Sequence, residues 1–141
     1  MACTDLFLSF KDGEISLDTA VADDYVGGQP LKVAAAGASL LKNATPGVSE
    51  DSFIGLSKNS RVDDLANGKV TVYGIGSKVK VWDDGNGSPF DLALTYANGE
   101  AWGVNAAGLI TNVIPANGVK MGTIIKAPAS VTDTMELVIK A

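Results

Sequence analysis

Apolar and polar positions alternate along most of this chain in short runs, and a turn dipeptide closes almost every run. Leu6, Leu8 and Phe10 share one face of a predicted strand over residues 4–10, while Phe7 points the other way. After Asp12-Gly13, Ile15 and Leu17 alternate on a return strand, which makes a predicted hairpin. Lys78-Val79-Lys80-Val81 and Glu136-Leu137-Val138-Ile139-Lys140 set charged against aliphatic residues, at least in part, as half-buried antiparallel strands do. The same reading predicts strands over 53–57, 69–73, 92–96, 101–104, 109–111 and 122–126, and two short strands around a Gly37 turn within 31–43. Residues 45–52 and 63–68 read as a loop and a turn.

Turn chemistry supports this division. Asn67-Gly68, Asn86-Gly87, Asn98-Gly99 and Asn117-Gly118, with Asp12-Gly13 and Asp84-Gly85, supply the positive φ that two-residue hairpin loops demand. The expected fold is therefore all-β: a small antiparallel β-barrel or sandwich of short strands, with an N-terminal hairpin or arm. Residues 1–30 read as the hairpin, arm and linker, and 31–141 as the body.

Composition narrows the function. Charged residues make up 19% of the chain, below the roughly 25% of soluble domains, so the surface is apolar enough to want a partner. The net charge is −5 and no Lys/Arg cluster exists to neutralise phosphates, which argues against nucleic acid as a ligand. The N-terminal residues lack the basic and long apolar regions of a secretory signal, and no run approaches the roughly 18 apolar residues of a membrane helix, so no membrane association is expected.

The chain has no histidine and one cysteine, Cys3. The commonest general base and the usual activator of a nucleophile are both missing, so no enzyme activity, catalytic residue or cofactor is expected. Asp83-Asp84-Gly85-Asn86-Gly87-Ser88 gathers oxygen donors, but its spacing departs from a calcium loop and it reads as a plain long turn, with a bound cation as the alternative. The pairs Asp23-Asp24, Glu50-Asp51 and Asp63-Asp64 read as solvated loop charges. Trp82, Phe90, Tyr96 and Trp102 cluster around the central turns, either as packing residues or as anchors between subunits.

From residue 31 onward the order of phrases resembles the head-decoration, or capsid cement, proteins of tailed bacteriophages. The phrases are Phe53-Ile54-Gly55-Leu56-Ser57, then Asp64-Leu65-Ala66-Asn67-Gly68-Lys69-Val70-Thr71-Val72, then Gly76-Ser77-Lys78-Val79-Lys80-Val81. The hairpin phrase with Tyr96 and Gly99 follows, and Gly122 to Pro128 with residues 134–140 closes the chain. The resemblance implies a non-enzymatic protein of the virion, made in the host cytoplasm. It would sit as an oligomer, commonly a trimer, on the outside of the expanded capsid and bridge major capsid proteins. Partner contacts are then expected at Phe7, Trp82, Phe90 and Trp102. The alternatives are a phage tail-tube or spike component, or a carbohydrate-binding β-sandwich that stacks sugars on Trp82, Tyr96 and Trp102.

Overall fold

Most of the short apolar runs become strands, and these assemble into two open antiparallel sheets. The computed structural model of the protein describes residues 14–17, 24–34, 37–40, 53–114, 118–130 and 133–139. In chain order the elements are β1 (Glu14–Leu17), β2 (Pro30–Ala34), β3 (Gly37–Leu40), β4 (Phe53–Ser57), α1 (Arg61–Asn67), β5 (Val70–Tyr73), β6 (Lys78–Val81), β7 (Ala101–Val104), β8 (Ile110–Thr111), β9 (Gly122–Lys126) and β10 (Met135–Ile139). The first sheet runs β1-β5-β4-β2-β3 and the second β6-β10-β9-β7-β8. The fold is all-β and sandwich-like, and among the described residues no barrel closes.

The return strand of the expected N-terminal hairpin, β1, is hydrogen-bonded along β5, with Ile15 opposite Val72 and Leu17 opposite Val70. Its expected partner over residues 4–10 lies outside the described residues, as does Phe7. The two strands anticipated around Gly37 form as β2 and β3, with Ala34 opposite Gly37.

A bulge in β4 decides how the two sheets meet. Leu31 opposes Gly55 while Lys32 opposes Phe53, so Ile54 is the extra residue on the β4 side. In a regular strand Phe53 and Leu56, three apart, would face opposite ways. Across the bulge both enter the main core, with Val79, Val81, Trp102, Ile124, Leu137 and Ile139 of the second sheet. Gly55 adopts φ 141°, and a Cβ there would run into the Tyr73 carbonyl oxygen on β5. The opposite face of the first sheet carries a smaller cluster of Tyr25, Leu31, Val70 and Val72.

Two expectations fail, each for a local reason. Residues 63–68 form the end of helix α1 rather than a bare turn. Ser60 caps its start, accepting a hydrogen bond from the Asp63 N–H at 3.4 Å, and Asp63 and Asp64 occupy the first turn, where carboxylates favour the helix dipole. Gly68 ends it at φ 75°. The Gly68 and Lys69 N–H groups return to the carbonyls of Leu65 and Asp64 at 3.3 and 3.2 Å, the paired bonds of a Schellman stop. Thus Asn67-Gly68 terminates a helix and does not turn a hairpin.

Residues 92–96 form no strand. The Asp91 carboxylate accepts the Ala93 N–H at 3.0 Å and the chain turns there, because aspartate competes for nearby backbone donors more effectively than a lone apolar alternation holds a strand.

Candidate interaction surface

The alternation of β6 places its chemistry. Val79 and Val81 are buried and Lys78 and Lys80 exposed, so Trp82, one step past the strand, continues the outward face. Its side chain is 50% exposed, unusual for a tryptophan beside a folded core. It lines a cleft of about 80 Å³ together with Gly27, Gly28, Ser57, Lys58, Tyr73, Lys80, Val81 and Asp84. The cleft lies where β4 and β5 of the first sheet approach β6 of the second.

One wall of the cleft is fixed by backbone and amide bonds. The Gly28 N–H donates to the Ser57 carbonyl at 2.7 Å and the Ser57 N–H to the Gln29 carbonyl at 2.9 Å, while the Ser57 hydroxyl donates to the Val26 carbonyl at 2.8 Å. Buried Gln29 accepts the Val26 N–H through Oε1 at 2.8 Å and donates from Nε2 to the Gly108 carbonyl at 3.0 Å. The two-glycine turn is thereby tied to β4 and to the Gly108 carbonyl, and it lines the same cleft as Trp82. Sequence reading missed Gln29, whose flanking Gly27-Gly28 and Pro30 look like plain loop.

The 83–88 loop closes on itself. Asp83 Oδ1 accepts the N–H groups of Gly85 and Gly87 at 2.8 and 3.1 Å. Asp84 Oδ1 accepts the Asn86 N–H and its Nδ2, both at 3.1 Å. These bonds occupy Asp83 Oδ1 and Asp84 Oδ1 within the turn, and among the described residues no group of three or more acidic, histidine or cysteine side chains is placed to hold a metal ion.

The four expected contact residues separate. Trp82 is on the surface, and Phe7 lies outside the described residues. Phe90 is 2% exposed and Trp102 fully buried, so in the folded chain neither ring is presented to a partner. Phe90 packs edge-on against Tyr96, centroids 5.7 Å apart and planes at 87°. The Tyr96 hydroxyl donates to the carbonyls of Asp91 and Ile110 at 2.8 and 3.2 Å, and burial raises its pKa. Trp102 donates its indole N–H to the Val138 carbonyl at 3.0 Å. Burial of Tyr96 and Trp102 also removes two of the three rings that a sugar-stacking surface would use.

Asp64 departs furthest from its expected role. It is not a solvated loop charge but 1% exposed on α1, accepting a 2.5 Å hydrogen bond from the Tyr25 hydroxyl through Oδ2. Burial raises its pKa, against the opposing hydrogen bonds from Tyr25 and Asn59. Its neighbour Asp63 stays on the exposed face of the helix. The helix signals Ser60 and Gly68 were available in the sequence; the Tyr25 contact, 39 residues away in the chain, was not. Asp24 is exposed as expected, and pairs with Arg61 at 3.3 Å.

Among the described residues no helix is long and apolar enough to cross a membrane. No protein-family model matches the sequence, and no curated protein matches it.

Proposed function

We propose that this chain is a structural protein of a phage virion, an oligomeric decoration protein that binds the outside of the expanded capsid and stabilises it. The observation that carries the reading is Trp82, a half-exposed residue lining a cleft between the two sheets. A tryptophan so placed offers a large apolar face with a polar edge, which is the profile of an interface anchor. The phrase order in the sequence supports the same reading.

The chemistry of the chain is in keeping with a binding role. It has no histidine, and the loop carboxylates nearest Trp82 are engaged by their own turn. A trimer that bridges several major capsid subunits needs only modest affinity at each contact, because every contact after the first is intramolecular.

Light scattering on the purified chain, followed by co-sedimentation with expanded and precursor heads of its phage, tests the proposal. The expected result is a trimer that binds expanded heads only. A strict monomer indifferent to both head states overturns it.

A further inference from the structure

The fold treats the three Asn-Gly pairs among the described residues differently, and this sorts their chemistry. Asparagine followed by glycine is prone to cyclise. The glycine amide nitrogen loses its proton and attacks the asparagine Cγ, forming a C–N bond and a five-membered succinimide, and the side-chain nitrogen leaves as ammonia. Water then opens the ring at either carbonyl to give aspartate or isoaspartate. The step requires a side chain that can swing back over its own backbone and a glycine N–H that can give up its proton.

At Asn98-Gly99 both requirements are blocked. Asn98 Oδ1 accepts the Ala127 N–H at 2.7 Å, which holds the side chain away, and the Gly99 N–H donates to the Ile124 carbonyl at 2.8 Å. At Asn86-Gly87 the glycine N–H points at the Asp83 carboxylate, which disfavours its loss of a proton. The departing nitrogen, Asn86 Nδ2, is held by Asp84.

Asn67-Gly68 carries the weakest restraint. Asn67, Asn86 and Asn98 are all exposed, and open space lies where a Cβ would stand at Gly99 as at Gly68, so the hydrogen bonds make the difference. The Gly68 N–H is bonded only to carbonyls of the last turn of α1, at 3.3 Å to Leu65. Helix ends fray, and this helix has seven residues.

We infer that, of the three Asn-Gly pairs among the described residues, Asn67-Gly68 is the favoured site of spontaneous deamidation in the folded protein, ahead of Asn86 and Asn98. The product matters to the fold. Isoaspartate adds an atom to the main chain within the Schellman stop and places a carboxylate at the C-terminal end of α1, where the dipole disfavours it and the last turn holds no basic residue.

Peptide mapping by mass spectrometry, after incubation of the native chain at mildly alkaline pH, tests the inference, with a denatured sample run in parallel. Each additional hydrogen bond that must open first slows the reaction roughly fivefold. In the native chain Asn67 is therefore expected to convert at least roughly fivefold faster than Asn98 or Asn86, and on unfolding the three rates should draw together. Native conversion at Asn86 or Asn98 as fast as at Asn67, or the same lead for Asn67 in the denatured sample, overturns it.

Discussion

The indole of Trp102 lies across Gly122. The two residues are register partners on β7 and β9, and a Cβ on Gly122 would collide with both the indole nitrogen and the Val138 carbonyl to which that nitrogen donates. The missing side chain of one residue is the space that the other fills, and β7, β9 and β10 are tied together at that point.

Gly122→Ala is accordingly expected to destabilise the protein by about 3 kcal/mol, the upper range for overpacking a filled core. Trp102→Phe, which keeps a ring but leaves the Val138 carbonyl without its indole donor, should cost about 1–3 kcal/mol. Urea unfolding of the two variants measures both, and a Gly122→Ala variant of wild-type stability would contradict the packing described.

The bulge at Gly55 predicts a contrast between glycines. Gly99 has φ 86° but open space where a Cβ would stand, so Gly99→Ala should cost about 1 kcal/mol from backbone strain alone. Gly55→Ala adds collision with the Tyr73 carbonyl to its own strain at φ 141°, and its loss should exceed that of Gly99→Ala by about 2 kcal/mol or more. Thermal melts of the pair decide it.

Buried Asp64 predicts a pH dependence of definite sign. Its folded pKa is raised above the ordinary 3.8, so between the two values the native state holds a proton that the unfolded chain has lost. That contribution to stability is complete below 3.8 and is lost as pH rises through the folded value. Asp64→Asn, which cannot titrate, should therefore gain on the wild type as pH rises from acid to neutral. Asp64→Ala strands the buried Tyr25 hydroxyl and should cost about 1–3 kcal/mol. Melting curves of all three proteins across this range read both effects, and a gap between wild type and Asp64→Asn that does not change with pH would refute the first.

Surface and core tryptophans should respond oppositely. Trp82→Ala is expected to leave the melting temperature nearly unchanged while weakening self-association or capsid binding. Phe90→Ala, in the core, should lose about 3–5 kcal/mol. A Trp82→Ala variant with unaltered oligomeric mass and capsid binding would count against the interface role.

The sequence by itself determined the strand content and much of the strand positions, because period-two alternation and Gly-containing turns are local signals. Lys78 to Val81 and Met135 to Ile139 needed nothing beyond their own pattern. The same local reading contained the helix, in Ser60, Asp63 and Gly68, although a seven-residue helix leaves little periodicity and its Asn-Gly stop looks like a hairpin turn.

Only the tertiary structure decided that Trp102 is buried and which carboxylate is buried in the folded chain. Trp82 and Trp102 occupy similar strand-and-turn contexts. Their fates differ because Trp82 continues the outward lysine face of β6 and stays half exposed, whereas Gly122, the register partner of Trp102, opens room for the second ring in the core. Asp64 is one of two adjacent aspartates, and which of them is buried depends on a tyrosine 39 residues away in the chain. That choice is made by packing between distant segments, and no local pattern encodes it.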